Sequence, residues 1–555
     1  MHDTDYLIIG GGSAGAALAG RLSEDPDCRV TLLEAGGAGD NWVVKTPFAG
    51  VLQIPSKLNN WAFETVPQAG LNGRRGYQPR GKALGGSSAI NAMVYIRGHR
   101  SDYDAWSAAG NPGWSFDELL PYFVRSEHNA RLGAPWHGQD GPLRVGDLRT
   151  DSPLHAAWLA AARHRGHPVV DDFNGAQMEG LGVYQVTQHE GERWSAARGY
   201  LHPHLGRRPN LQVLTGVRVL RVLLEGRRAV GVELLEGGSK RQLRAAREVV
   251  LSAGALQSPQ LLMLSGIGDG AALQGLGIEV AHHLPGVGRN LHDHPDFVFG
   301  YVSESLDTVG ISARGGWRLL QSIRRYRRER RGMVSTNFAE CGGFLSTRPG
   351  LPAPNVQLHF VVALVKNHAR ELGLGHGLSC HVCLLRPQSR GTLQLASADP
   401  LAAPLIDPAF LQHPDDVSQL VEGYRLTRDL MRSPSLKAFW SHEAWTRPDQ
   451  VGNGDAEIEA LLRQRVDTVY HPVGSCRMGR DALAVVDAQL RVHGIEGLRV
   501  VDASIMPQVV SGNTNAPAVA IAEKAADLIR GRAAPVPASL ELPREPSIQD
   551  LALSA

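Results

Sequence analysis

Cysteine is scarce: five in 555 residues, too few and oddly numbered for a disulfide-built scaffold. Cys380 and Cys383 form a CxxC spacing, but no second CxxC completes a zinc site and no helix start follows to lower a thiol pKa. The run LSCHVCLLRP therefore reads as packed strand. An excess of either charge is also missing. With 57 Lys+Arg against 55 Asp+Glu the net charge is +2, which leaves no global field to hold nucleic acid. No uncharged run approaches the roughly twenty apolar residues that span a bilayer. The opening MHDTDYLIIG shows no basic region followed by a cleavable apolar stretch, so no signal peptide and a cytoplasmic location are expected. The apolar share of 43% and charged share of 20% are those of a folded soluble protein. The length exceeds one ordinary core and predicts two large domains or interleaved lobes.

Glycine, at 63 residues, is plentiful and concentrated. The chain opens with strand-like Tyr6 to Ile9, then GGGSAG, helix-like AALAGRLSED and strand-like CRVTLLEAG, a βαβ unit. Gly10, Gly12 and Gly15 make a G-x-G-x-x-G. The first permits the tight turn, the second lets backbone approach a pyrophosphate, and the third lets helix pack on strand. Helix N-terminal N–H groups then face the phosphates. Glu34 closes the next strand, 24 residues after Gly10, where a carboxylate can accept from an adenosine ribose. This pattern does not separate NAD from FAD. Further on, NLQVLTGVRVLRVLLEGRRAVGVELLEG alternates like a β-meander, and REVVLSAGA leads into the helix-like SPQLLMLSGIG. From about 300 to 465 the character changes to strand candidates NVQLHFVVALV, LSCHVCLLRP and GTLQLASA and helix-like DDVSQLVEGYRLTRDLMRS. The basic run Arg324 to Arg331 carries two readings, a solvated helix face and a weak peripheral contact with anionic lipid at the inner membrane face. The Pro-punctuated end reads as a flexible tail.

Residues 80–98, RGKALGGSSAINAMVYIRG, concentrate small residues as if backbone must approach something closely. This stretch resembles the first signature of the glucose-methanol-choline (GMC) oxidoreductases, and GALQSPQLLMLSGIG resembles the second. LPGVGRNLHDHP, HPVGSCRMG and VVDASIMPQVVSGNTNAPAVAIAEKAADLI match as well, in family order from about residue 4 to 531. The nearest branch by motif is the bacterial FAD-dependent alcohol and choline dehydrogenases. The resemblance implies an α/β fold (α+β overall), with a Rossmann-type FAD-binding domain from 1–160, 195–300 and 470–532. An interleaved substrate-binding domain of antiparallel sheet and helices is expected from 161–194 and 301–469, with the tail at 533–555. It implies FAD contacts at Gly10, Gly12, Ser13, Ala14, Gly15, Glu34 and Ala35, and along the flavin at Gly85, Gly86, Ser87, Asn91, Ala92, Met93 and Val94. Val219 falls where the family contacts adenine. Ala253, Gly254, Asp502, Ala503, Asn513 and Thr514 complete the set. Some relatives attach FAD through a histidine at the position of Ile90, so FAD is expected to be non-covalent here.

Oxidising an alcohol with flavin requires loss of the hydroxyl proton and departure of a hydride. The resemblance assigns His471 as the base and Asn513 as its partner, a carboxamide that can orient the substrate oxygen. Glu340, in NFAECGGF, resembles the position of a carboxylate that faces a cationic substrate; it also reads as a structural acceptor. His292-Asp293-His294 alternates like a metal pair but lacks a third ligand, so no metal is expected. The expected function is FAD-dependent oxidation of a primary alcohol to an aldehyde, with electrons passed to a quinone-type acceptor. An oxidase reducing O₂ to H₂O₂ and a choline dehydrogenase are the alternatives. A catalytically idle flavin carrier sits poorly with the presence of both His471 and Asn513, and an NAD dehydrogenase leaves the later blocks unexplained.

Overall fold

In the computed structural model, which describes residues 4–367, 370–371, 374–446 and 451–540, every residue of strands Thr4–Ile9 and Val30–Glu34 is buried. A parallel strand covered on both faces requires this. Leu211–Thr215 extends the sheet in parallel on one side. The second half of Ser239–Leu251 and then Leu498–Val500 extend it on the other. Ser239–Leu251 serves twice. Its exposed first half pairs antiparallel with Arg228–Glu236, which pairs with Val217–Glu225, so the expected meander hangs from the parallel sheet. Among the described residues the sheet has seven strands.

Helix Ser13–Leu22 can lie against this sheet because it is built of small residues: a Cβ on Gly15 would stand 1.9 Å from the carbonyl oxygen of Gly10. Helix Asn515–Arg530 packs beside it and ends at Gly531, whose φ of +65° suits a left-handed cap. Glu523, buried on that helix, accepts from Arg21, Arg125 and Tyr200 and so ties three distant segments together.

The second sheet is antiparallel, in the order Gly180–Val183, Ala339–Leu345, Val356–Val361, Gly375–Leu384, Pro295–Ser303. Strand side chains alternate between faces, and here the faces differ in chemistry. Val356, Leu358 and Phe360, with Leu378, Cys380, Val382 and Leu384, enter an apolar core beneath helix Pro414–Met431. Tyr424 of that helix lies 4.7 Å from the Phe299 ring. Gln357 and His359, with Ser379, His381 and Cys383, fall on the other register of the same two strands. Cys380 and Cys383, three apart, thus point to opposite faces, both fully buried, and burial pushes both thiols well up.

Three stretches pack across the expected boundaries. Helix Pro153–His164 straddles the expected boundary at 160 and buries Leu154 and Trp158, from its 1–160 side, in the core of the second sheet, and Phe297 and Phe299, inside 195–300, lie there too. Leu393, Leu395 and Ile406, inside 301–469, pack in the core of the first sheet, because Gly391–Gln394 pairs with Arg289–Leu291. A local apolar pattern says that a face is buried, not which core receives it. Of the expected tail, 541–555 lies outside the described residues. Trp158 stands 5.0 Å from Phe360, ring to ring. Trp158→Ala should therefore destabilise the protein by about 3–5 kcal/mol in urea unfolding; a loss under 1 kcal/mol would contradict this packing.

Candidate active site

The parallel strands end where a nucleotide is held in doubly wound sheets, outside their carboxyl edge. There a cavity of about 650 Å³ runs from the Gly10 turn to His471. At its first end Gly10, Gly12, Ser13, Ala14, Glu34, Ala35 and Val219 form the wall, joined by Ala253, Gly254, Asp502 and Ala503. Glu34 accepts from Gly11 N at 2.9 Å and Gly36 N at 2.7 Å; burial raises its carboxyl to about 7 against the pull of those amides. Asp502 accepts from Gly254 N and the Ser258 hydroxyl, fixing the start of helix Gly254–Leu264. The N-termini of Ser13–Leu22 and Asn515–Arg530 meet here, Ser13 Oγ donating to Asn515 Oδ1 at 2.7 Å, so two helix dipoles present positive ends to the same space.

The glycines have different reasons. Gly10 and Gly15 are required by the protein itself: a Cβ on either would come within 2.5 Å of backbone oxygen. At Gly12 the nearest protein atom would be 3.9 Å away, and the residue lines the cavity with φ of −74°. What a side chain there would displace is the cavity's contents.

The small-residue stretch answers differently from expectation. A Cβ on Gly86 would strike Gly12 Cα at 2.6 Å and one on Gly85 would meet the Ser195 side chain at 3.1 Å, so these glycines let one loop press on another. Gly86 and Ser87 still line the cavity; Gly85 and Gly15 do not. Asn91, Ala92, Met93 and Val94 follow along the wall, with Ile90. Arg193, which no motif signalled, orders this loop by donating to the carbonyls of Ser88 and Asn91, and burial lowers its guanidinium to about 9. Met93, Phe338 and Tyr470, all on the cavity wall, hold φ of +61°, +68° and +76°.

At the far end His471 and Asn513 meet. His471 Nε2 lies 3.1 Å from Asn513 Nδ2, and His471 Nδ1 lies 3.1 Å from His294 Nδ1. His294 Nε2 in turn donates to the Leu385 carbonyl at 3.1 Å. That last bond decides the tautomers. A neutral His294 protonated on Nε2 must accept at Nδ1, so His471 donates from Nδ1 and keeps the Nε2 lone pair toward Asn513 and the cavity. Burial first, then His294, His359 and Arg80, holds His471 well below the ordinary histidine range, so it is neutral at pH 7. Asp293 accepts the backbone N–H groups of His294 and His471 and the Thr468 hydroxyl. Asn513 Oδ1 accepts from Gln357 Nε2 at 3.1 Å, and Thr514 precedes the helix.

Glu340 is corrected. Ala339 lines the cavity opposite Val361, but the strand register shifts between Ala339 and Cys341, and Glu340 lies within that shift. Its carboxylate accepts from Thr336 Oγ1 and meets His155 Nε2, each at 2.7 Å, and it does not line the cavity. The second, structural reading of this residue is the one the geometry supports. His292 serves structure as well, donating from Nδ1 to Asn290 O and accepting from Val509 N at Nε2. The motifs missed His359 and His381, which are directly paired across the sheet and line the cavity, and Asp296, which accepts from His381 Nδ1 at 2.6 Å. Their signal was polar residues at alternate positions of VQLHFV and LSCHVC.

The GMC oxidoreductase profiles match residues 4–296 and 387–522. The chain is a GMC oxidoreductase. It is 45% identical over 528 residues to the alcohol dehydrogenase [acceptor] of Pseudomonas putida, covering 95% of each chain. It is 44% identical over 541 residues to the mitochondrial choline dehydrogenase of Homo sapiens, covering 95% of this chain and 90% of that one. The crystal structure of pyridoxine 4-oxidase from Mesorbium loti superposes with a TM-score of 0.86 at 33% identity, covering 96% of this chain and all of that one. That of formate oxidase superposes with a TM-score of 0.88 at 29% identity, covering 95% and 98%. As a family member it is an FAD-dependent oxidoreductase acting on CH–OH groups. The residues present fit FAD: two helix N-termini for a pyrophosphate, Glu34 for a ribose, and a glycine whose absent side chain nothing in the protein explains.

The glycine contrast is testable. Gly12→Ala should leave a folded protein that has lost most of its FAD, read as the ratio of flavin to protein absorbance. Gly15→Ala should fail to give soluble protein. Equal FAD content in wild type and Gly12→Ala would contradict the reading of Gly12.

Proposed function

We propose that the enzyme oxidises a neutral primary alcohol to its aldehyde, with His471 as the base, FAD held non-covalently, and electrons passed to a quinone-type acceptor. The observation that carries this is the His471 Nε2–Asn513 Nδ2 approach at 3.1 Å, with the lone pair turned into the cavity. A substrate hydroxyl that displaces this contact and reaches both atoms from the cavity meets an acceptor and a donor. His471 takes the proton while Asn513, held at its oxygen by Gln357, donates to the substrate oxygen and steadies developing negative charge. FAD, when bound, supplies the acceptor for the hydride that leaves the α-carbon. His294 is a positioning residue: it keeps the proton on Nδ1 so that Nε2 stays free.

The approach wall favours an uncharged substrate through its apolar residues, Phe48, Val51, Phe338, Val361 and Val365; Glu340 is off it, and the carboxylate that does line it, Glu371, is exposed and accepts from Asn367 Nδ2. Ile90, with no nucleophilic atom, stands on the wall in support of non-covalent binding. The relative named for an acceptor, at 45% identity, supports electron transfer to a carrier. An oxidase is the second reading, favoured by the structural neighbours named as oxidases at 29–33% identity.

His471→Ala should keep FAD but lose at least about 100-fold in kcat. Because the working form is the neutral imidazole and its pKa is depressed, kcat/KM should stay level from about pH 6.5 upward on this group's account and fall only at lower pH. A wild-type rate in His471→Ala, or an acid limb centred above pH 7, would sink the assignment. For His294, Asn presents an acceptor where Nδ1 stood and Leu presents none. His294→Asn should therefore keep most turnover, and His294→Leu should lose at least about tenfold with FAD content unchanged. Anaerobic bleaching of the flavin by 1-hexanol should outpace that by choline at equal concentration. Stoichiometric peroxide in air would favour the oxidase.

A further inference from the structure

Residues 313–331 hold eight arginines against one glutamate, on and just beyond helix Ala313–Glu329. The helix has two unlike faces. Tyr326 is buried, its hydroxyl donating to Gly191 O, and Leu319 lines the cavity, so the inner face forms part of the cavity's wall. On the opposite side Trp317, Leu320, Arg324 and Arg327 follow at helical spacing along one stripe. Trp317 is 61% and Leu320 54% exposed, an unusual state for large apolar side chains on a helix this polar. Ile311, just before the helix, is 50% exposed and also lines the cavity, and its backbone partner Leu374 is 84% exposed. The apolar residues therefore stand at the cavity mouth.

The arginines divide the same way. Arg325, Arg330 and Arg331 are paired with Asp151, Glu192 and Asp151. Neither Arg324 nor Arg327 has a carboxylate partner among the described residues. Arg314, at the start of the helix, also has none, so the unneutralised charge lies on and beside the stripe that carries Trp317 and Leu320. A tryptophan with aliphatic side chains flanked by free arginines matches the headgroup boundary of an anionic bilayer, where the ring enters the interface and guanidinium groups meet phosphate. Among the described residues no helix is long and apolar enough to cross a membrane, so such attachment would be at the surface.

We propose that the outer stripe of helix Ala313–Glu329 docks on an anionic lipid surface and sets the cavity mouth against the bilayer, where apolar alcohols and lipid-soluble electron acceptors dissolve. Binding is read without turnover, so it stands or falls apart from the proposed reaction. The holoenzyme should co-sediment with vesicles of phosphatidylglycerol and phosphatidylcholine at about 0.05 M NaCl and be released at about 0.5 M. It should not co-sediment with phosphatidylcholine alone. The double variants W317S/L320S and R324Q/R327Q should each weaken partitioning at least about tenfold while FAD content and turnover of a water-soluble alcohol stay as in wild type. Brominated lipid should quench tryptophan fluorescence in wild type and less in W317F. No binding of wild type to anionic vesicles, or undiminished binding of both double variants, would overturn the proposal. So would a change of oligomeric state in W317S/L320S without vesicle binding, which would assign the face to a second copy of the chain.

Discussion

The donation from His294 Nε2 to the carbonyl of Leu385 is remote from the cavity's open space, yet the protonation of His471, and with it the proposed chemistry, depends on it. Two imidazoles facing each other through Nδ1 atoms 3.1 Å apart can bond in either sense, and only an outside partner breaks the tie. Leu385 immediately follows strand Gly375–Leu384, and His294 immediately precedes strand Pro295–Ser303, its antiparallel neighbour. The register of the second sheet therefore decides which nitrogen of His471 carries a proton. Burial then acts in the useful direction. It costs the imidazolium more than the imidazole, and His471 stands neutral, as the proposed base requires.

The two sheets divide the labour according to their hydrogen-bonding geometry. A parallel sheet presents all its carboxyl ends on one edge, so turns after Ile9, Glu34, Leu251 and Val500 converge on one strip where backbone amides and helix ends can hold phosphate. An antiparallel sheet presents no such edge. It offers a face, and alternation lets one face be apolar and packed while the other carries Gln357, His359 and His381. The cavity lies where the edge of one meets the polar face of the other. His471 and Asn513 come from the first body, and their orienting partners His294 and Gln357 come from the second.

This division explains what was legible in the residues. The nucleotide half is local: Gly10, Gly12, Gly15 and Glu34 lie within one βαβ unit, so spacing alone locates them, and the motif blocks extended this to His471 and Asn513. The second half is not local. His359 and His381 become neighbours through a cross-strand register, and Asp296 joins them on a diagonal from Val298, which no linear pattern states. Glu340 carried two readings for the complementary reason. Its neighbourhood in sequence resembles a substrate contact, but the strand register shifts between Ala339 and Cys341, and the carboxylate ends against His155. Arg193 carried no signal at all, because three of its acceptors are the backbone carbonyls of Val44, Ser88 and Asn91, which have no sequence identity, and only one, Asn91 Oδ1, is a side chain.

The strained backbone bears on how the site is kept. Met93, Phe338 and Tyr470 each hold a left-handed conformation that costs about 1–3 kcal/mol, and all three stand on the cavity wall. Glu34 and Asp293 add two buried carboxyls, raised to about 7 and about 6 by desolvation. These costs fall together in one place, and they are carried by packing in two separate cores. A ligand that fills the cavity binds the folded chain and not the unfolded one, so it must raise stability by mass action. The residues that make this a good flavin site also make it the least self-sufficient part of the fold. Holding the cofactor and holding the shape are, at this cavity, the same free energy.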